Sequence, residues 1–473
     1  MIIGRQEEID VLKTLEQAEK SAFVAVYGRR RVGKTYLIRT LFENKMAFQL
    51  IGLAHTKIDK QLANFHAALV RHFPQYEDKP MAQDWFHAFL QLEYALETST
   101  ATKKIVFLDE LPWLDSRNSG FISALEHFWN SWASARRDVL LIVCGSATSW
   151  IINNLINNHG GLHNRVTHQM PLEPFTLAEC ETFFKSKSAT YDRYQLLQLY
   201  MVLGGIPFYL DMVDTAQSAA QNINRLCFTP KGGLRKEFDN LYASLFRNAD
   251  KYIAAIEALS QKAQGMERED LIKAANLVNN GNSSKILKEL EESGFISRYN
   301  NFGKNSRNSV YQLTDFYSLF YLKFIKTNSI LDTDFWINSL DNPEVRAWSG
   351  YAFEQICLYH LDAIKKALGI SGILTNSTAW LGSYENQKAQ IDLVIDRRDH
   401  VVTLCEMKFS INPFIIEKKY ADDLRTKIAI FKQSTRTTKA IFLTFITTFG
   451  LVQNEHAMSL VQNSFTMDIL FQQ

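Results

Sequence analysis

Three short apolar runs in the first third of the chain end abruptly in glycine, acid or serine. AFVAVY (22–27) leads straight into GRRRVGKT (28–35), KKIVFLDEL (103–111) ends in Asp109 and Glu110, and LLIVCGSA (140–147) ends in Ser146. Runs this short and without alternation predict strands buried on both faces. YLIRTLFE (36–43) has helical spacing, so the opening region reads as strand, loop, helix. The period changes near residue 240. YIAAIEALSQKAQ (252–264) predicts an amphipathic helix with Ile253, Ile256, Ala258 and Leu259 facing a core, and EDLIKAANL (269–277) a second. SSKILKELEESGFISRYN (283–300) sets Ile286, Leu287 and Leu290 on one helical face and stops at Gly294. FISRY (295–299) and SVYQLTD (309–315) predict two strands flanking a loop. Further on, WSGYAFEQICLYHLDAI (348–364) predicts a helix with Glu354 among apolar neighbours. IDLVI and VVTLCEMK (391–408), joined by DRRDH (396–400), predict a β-hairpin, and PFIIEKKYADDLRTKIAIF (413–431) a last helix.

Composition narrows the class without naming a partner. At one domain per ~150 residues, 473 residues suggest about three. Hydrophobic content of 46% and charged content of 22% are those of a globular chain. A net charge of +2 says nothing about nucleic acid, so any such signal must be local. The five cysteines form no CxxC pair, which argues against a zinc site or a disulfide framework and makes a reducing cytoplasm the expected location. MIIGRQEEID is polar and acidic from residue 5, so no secretory leader is expected. No apolar run approaches the ~18 residues a membrane span needs.

Candidate chemistry starts in the first loop. GRRRVGKT fits G-x-x-x-x-G-K-[ST], and its setting between strand and helix is the one the motif requires. Gly28, Arg29, Arg30, Arg31, Val32 and Gly33 would wrap phosphates with backbone amides, and Lys34, Thr35 and Tyr36 open a helix whose N-terminus favours anions. Lys34 is expected to reach the β and γ phosphates of ATP, and Thr35 to ligate Mg2+. Asp109 would hold the same ion through water, and Glu110 would orient or deprotonate the attacking water. Ser146 is either a polar sensor of the γ-phosphate or a serine in a strand-to-helix turn.

These motifs together give a resemblance. Residues 1–215 resemble the archaeal and bacterial AAA+-like, STAND-related ATPases. IIGRQEEIDVL (2–12) is similar to their opening motif near the adenine, YGRRRVGKT to their P-loop with its arginine run, and LGGIPFYL (203–210) to their Gly-Gly-x-Pro lid motif. The family's Gly-Arg before its last core strand becomes GLHNRVTHQMPLEPF (161–175), where Arg165 lacks the glycine. Arg165 is therefore either a finger acting across a subunit boundary or a surface arginine. The middle segment looks like a winged helix-turn-helix, with helix 283–293 as groove reader and the wing RYNNFGKNSR (298–307) offering Arg298, Lys304 and Arg307 to phosphates. Glu289, Glu291 and Glu292 oppose that use, and winged helices also bind proteins.

The hairpin carries the second chemistry. Side chains alternate along a strand, so Val402, Leu404, Glu406 and Lys408 share a face, and the turn returns Asp392 beside them. Asp392 and Glu406 would make a hard-oxygen Mg2+ site, with Lys408 placing water or stabilising developing charge and Glu354 as a third carboxylate. The plainer alternative is a charged strand edge that deters aggregation. The set Glu354, Asp392, Glu406-x-Lys408 resembles the PD-(D/E)xK nuclease superfamily over about 340–450, with Ile391 where a proline is usual. Lys418, Lys419, Arg425 and Lys427 on the next helix would track a phosphate backbone or form a solvated face.

The expected fold class is therefore α/β: a P-loop NTPase core (1–170) with a helical lid (171–240), a winged helix-turn-helix (241–325) and a restriction-endonuclease-like α/β domain (326–473). The expected ligands are ATP, ADP and Mg2+. DNA and further copies of the chain are the expected partners, and no membrane is. Two functions follow: an ATP-controlled nuclease, or a nucleotide-switched regulator that binds DNA or protein without cutting. A signalling ATPase with a protein-binding winged helix is a variant of the second.

Overall fold

The structure is a computed structural model that describes residues 2–157, 160–162, 164–246, 248–300, 302, 309–328, 332–385 and 387–472. The chain divides into two compact units, Met1–Pro174 and Phe175–Gln473.

The first unit is built on five parallel strands: β1 (Ala22–Tyr27), β2 (Met46–Ile51), β3 (Lys104–Asp109), β4 (Val139–Gly145) and β5 (His168–Pro171), in the order β2-β3-β4-β1-β5. Parallel neighbours need crossovers, and helices Lys34–Leu41, Ile58–His72 and Trp85–Glu97 supply them. Every residue of β3 and β4 is buried, which is why both runs are apolar without alternation. Phe48, Phe65, Trp85, Phe89 and Phe121 fill the core on the helix side. Because β4 lies between β1 and β3, the loops after all three strands open at one edge of the sheet. Ligands of open α/β sheets bind at that edge.

The second unit starts with helices Leu177–Ser186, Arg193–Leu203, Pro207–Asp211, Ala219–Cys227 and Glu237–Leu245. Helices Ala249–Ser260, Arg268–Ala274 and Gly281–Glu292 follow, with a small antiparallel sheet β6-β8-β7 made of β6 (Met266–Glu267), β7 (Ile296–Asn300) and β8 (Ser309–Leu313). Its third strand, β6, has two residues and carries no alternation to read. In helix Ala249–Ser260 the buried face is Tyr252, Ala255, Ile256, Ala258 and Leu259; the expected Ile253 is only half-buried. Lys304 and Arg307 of the wing lie outside the described residues.

The last part holds helix Pro343–Tyr359, helix Leu361–Ala367 and a five-stranded sheet in the order β13-β12-β11-β10-β9. The strands are β9 (Thr375–Tyr384), β10 (Gln387–Arg397), β11 (Val401–Lys408), β12 (Ala440–Thr447) and β13 (Asn463–Thr466). β9, β10 and β11 are antiparallel; β11, β12 and β13 are parallel. Helix Lys418–Thr435 closes one face with Leu424 and Phe431 against Trp380, Val394 and Leu404. The single helix expected over 348–364 is two, broken at His360. That ring is buried and turned inward, with Nδ1 2.8 Å from the Ile356 carbonyl and Nε2 accepting from the Leu177 amide at 3.0 Å. Among the described residues no helix is long and apolar enough to cross a membrane.

Candidate active sites

In the first unit the loop from Gly28 to Gly33 turns from β1 into helix Lys34–Leu41, whose N-cap Gly33 is left-handed. Gly28 has φ 138°, and a Cβ there would lie 2.3 Å from the Leu172 carbonyl oxygen, so no other residue fits. Val32 and Arg29 are buried, Arg30 and Arg31 half-buried, and Tyr36 is exposed. Lys34 is only 5% exposed. Its Nζ donates to the carbonyls of Gly28 and Arg29, both at 2.8 Å, and burial pulls its pKa down. The ammonium is thus held by dipoles of its own loop, while the charges of Glu110 and Asp109 partly offset the effect of burial.

The acids stand at the end of β3. Thr35 Oγ1 donates to Asp109 Oδ2 at 2.9 Å, joining the two residues expected at Mg2+. Asp109 is 3% exposed; burial raises its pKa and the Thr35 hydrogen bond opposes the rise. Glu110 is left-handed at φ 49° and is held by Ser146, whose hydroxyl donates at 2.8 Å and whose amide donates at 3.3 Å. Ser146 thus engages Glu110, the residue expected to orient the attacking water, from the turn after β4. Thr35 and Asp109 offer hard oxygens suited to Mg2+. Arg5, in the opening motif, donates to the Glu173 carbonyl at 2.5 Å and the Val32 carbonyl at 3.3 Å, bracing the loop. Arg165 is exposed.

In the second unit the hairpin brings the expected residues together. Leu393 pairs with Cys405, so Asp392 and Glu406 are the next positions on facing strands. Glu406 is 1% exposed. Lys408 Nζ lies 3.4 Å from its Oε2. Two partners come from helix Lys418–Thr435: Lys427 Nζ at 2.7 Å from Oε1 and the Tyr420 hydroxyl at 2.8 Å from Oε2. Burial opposes ionisation of Glu406, but Lys408, Lys427 and Tyr420 outweigh it and hold the pKa below its usual value. Asp392 accepts from Gln390 Nε2 at 3.1 Å; burial, then the Glu406 charge, raise its pKa. Glu354, on helix Pro343–Tyr359, is pushed up to about 8 by burial and by Asp392.

Lys427, read from the sequence as tracking phosphate or lying on a solvated helix face, pairs with Glu406 at 2.7 Å. Arg425 pairs with Asp422 at 2.7 Å. Tyr420 was not anticipated. Tyr420, Leu424, Lys427 and Phe431 fall at helical spacing on one face, the signal that could have found both partners. The donors are carboxylate oxygens throughout, a chemistry that suits a hard divalent cation, and a cation would relieve the two raised acids. Among the described residues, however, no three acidic, histidine or cysteine side chains converge into a ready-made metal cage.

Helix Gly281–Glu292 turns Asn282, Ser284, Lys285 and Lys288 outward. Glu289, Glu291 and Glu292 are half-buried; Tyr252 donates to Glu289, and Lys288 lies 3.5 Å from Glu292. Lys285 also lies 3.8 Å from Glu289, so two of the glutamates are paired with the outward lysines and the charge on this helix is largely balanced.

Fold and site geometry define the first unit as a P-loop NTPase. Residues 2–213 match the family model of an ATPase domain found predominantly in Archaea, so this part of the chain is a P-loop ATPase of archaeal type. An uncharacterized protein of Methanocaldococcus jannaschii is 23% identical over 424 residues, covering 86% of this chain and 88% of its own length. An uncharacterized ATP-binding protein of the same organism is 44% identical over 45 residues, 10% of this chain and 76% of that protein. The structure of a Walker-type ATPase of Pyrococcus abyssi superposes with a TM-score of 0.51 at 15% identity, covering 68% of this chain and 96% of that one. At that identity the likeness concerns the fold.

Proposed function

We propose that this chain is an ATP-hydrolysing switch governing a metal-dependent phosphodiesterase that acts on DNA. In the ATPase, Lys34 would exchange its loop carbonyls for the β and γ phosphates, Thr35 and Asp109 would hold Mg2+, which would supply charge to the phosphates, and Glu110 would orient the attacking water. Ser146 would leave Glu110 for the γ-phosphate, which makes that hydrogen bond a sensor of nucleotide state. Glu110→Gln should then bind ATP and lose turnover by about 100-fold or more; undiminished phosphate release removes Glu110 from the role.

The observation that carries the phosphodiesterase reading is that Asp392 and Glu406 are neighbours across the hairpin, with Lys408 3.4 Å from Glu406 and the Asp392 charge helping to raise Glu354 on the adjacent helix. This supports a PD-(D/E)xK-like domain. Asp392 and Glu406 would hold Mg2+, with Glu354 as a further oxygen donor; the ion, when bound, supplies charge to polarise a phosphoryl oxygen. Lys408 orients water and meets negative charge developing at the scissile phosphate. Residues 241–325 would act as a winged helix, in which the exposed Lys285 and Lys288 would have to turn from Glu289 and Glu292 to meet DNA phosphates. The exposed Arg165 is available to a neighbouring copy.

A second reading is favoured by one specific observation: Glu406 is already engaged by two ammonium groups and a phenol. In that reading the C-terminal part binds DNA or protein without cutting it. Supercoiled and linear DNA incubated with Mg2+ or Mn2+, with and without ATP, separates the two. Metal-dependent nicking lost in Glu406→Ala and Lys408→Ala supports the nuclease. Intact DNA with a gel shift at low salt supports the binding module, and no shift at low salt points to a protein partner.

A further inference from the structure

The ATPase family match runs to residue 213, yet residues from Phe175 onward fold within the second unit. Helix Arg193–Leu203 belongs to that overlap and ends in the Gly204-Gly205 turn of the lid-like motif. Gly205 has φ 67°, and a Cβ there would lie 2.1 Å from the Phe175 carbonyl oxygen, so the turn is locked to the start of the unit. The amide of Phe175 donates back to Gly205 at 2.8 Å. Three residues earlier in the chain, Leu172 is the residue against which Gly28 of the P-loop closes.

The other end of the same helix reaches the carboxylate cluster. Tyr194 stacks on Phe409, ring centres 5.8 Å apart at 15°, and also meets Phe449 at 5.4 Å. Phe409 directly follows Lys408, and it packs on Phe353 at 6.1 Å, the residue directly before Glu354. Arg193 anchors this end through Glu181 at 2.9 Å and Asp468 at 2.8 Å. At the far end, Tyr200 donates to the Phe175 carbonyl at 2.9 Å and packs edge-on to His360, which stops the Glu354 helix. A helix pinned at both ends transmits displacement as a rod, and stacked rings at these separations have a preferred geometry that resists sliding.

We propose that Tyr194 is a positioning residue for the carboxylate–lysine site. Through Phe409 it sets the strand end that carries Lys408, and through Phe353 it sets the helix turn that carries Glu354. The helix it stands on joins that site to the Gly204-Gly205 turn. The role rests on the phosphodiesterase reading above, and the ring rather than the hydroxyl performs it.

The test compares full-length wild type, Tyr194→Phe and Tyr194→Leu. Steady-state cleavage of linear DNA with Mn2+ is measured beside ATP turnover and amide exchange of peptides spanning 351–357 and 405–411. Tyr194→Leu should lower kcat for cleavage by about 10-fold or more, with KM for DNA within twofold and ATP turnover retained. Tyr194→Phe should restore it. Both peptides should exchange faster in Tyr194→Leu and normally in Tyr194→Phe. Cleavage by Tyr194→Leu at the wild-type rate overturns the proposal. A wild type that leaves DNA intact sinks the phosphodiesterase reading instead, and exchange then decides the aromatic route: unchanged exchange in Tyr194→Leu overturns it, and faster exchange cured by Tyr194→Phe supports it.

Discussion

The two charged sites solve opposite electrostatic problems. At the nucleotide site the key charged groups are held by neutral dipoles: Lys34 by loop carbonyls, Asp109 by the Thr35 hydroxyl, Glu110 by Ser146. Such partners are given up readily when an anion and its metal arrive. At the carboxylate cluster Glu406 is met by full charges, Lys408 and Lys427, while Asp392 accepts from Gln390 and both Asp392 and Glu354 are raised by burial and neighbouring carboxylate charge despite the two lysines. The first arrangement holds its charges with neutral partners; the second holds one carboxylate with full charges and leaves two others raised.

The largest effect that tests this contrast is at Lys34. Lys34→Ala removes the buried cation, and ATP affinity should fall by about 100-fold or more. The nucleotide-dependent rise in Tm should vanish with it. A retained rise would mean that loop amides alone hold the phosphates. The protein itself should be little less stable, because only dipolar partners are lost.

Glu406→Gln should behave in the opposite way. It leaves Lys408 and Lys427 without their nearest counter-charge, with Asp392 and Glu354 as the remaining acids, and both lysines are partly exposed, so they can turn to solvent. A loss of about 2–3 kcal/mol in unfolding free energy is expected, read by denaturant titration. Removing Lys427 as well, by Lys427→Met, should return part of it. No rescue would mean that the cluster is not an ion-pair network.

The contrast also explains what could be read in advance. The P-loop is contiguous: eight consecutive residues and a following helix state the chemistry locally, and Asp109-Glu110 ends a run that could only be a buried strand. The hairpin was legible for a similar reason, since alternation puts Glu406 and Lys408 on one face and the turn returns Asp392. Tyr420 and Lys427 were not, because their partner is chosen by how helix Lys418–Thr435 lies on the sheet. A lysine beside Leu424 reads as a snorkelling surface residue until that packing is known. The break at His360 was missed for the same reason: its cause is an amide 183 residues earlier in the chain.

His360 is the place where the second unit uses the dipolar style of the first. Its neutral ring accepts from Leu177 and faces the Ile356 carbonyl, and burial lowers its pKa to about 4. Between pH 6.5 and 4 the unfolded chain binds the proton and the folded chain does not, so stability is full above 6.5 and falls as pH drops. About 2 kcal/mol should be lost by pH 5. In His360→Gln, which can still accept from the amide, thermal unfolding should depend less on pH across this window. An unchanged slope would move the titration to another group.

Glu354 gives the smallest expected effect on stability and the sharpest test of the contrast. Its folded pKa of about 8 lies above the unfolded value of 4.5, so its contribution is intact below 4.5 and is lost as pH rises toward 8. Part of the carboxylate meets solvent, which screens the effect, so the cost at pH 7.5 is about 1 kcal/mol. Glu354→Gln removes an acid that burial makes reluctant to ionise, and Tm at pH 7.5 without divalent metal should rise. Mg2+ or Mn2+ should then reverse the ranking, because a cation stabilises the ionised wild type and gains little from the amide. A substitution that stabilises the bare protein and weakens its metal response is what a cation-deficient site requires. If Glu354→Gln lowers Tm with and without metal alike, the carboxylate is a structural hydrogen-bonding group, and the second site no longer differs in kind from the first.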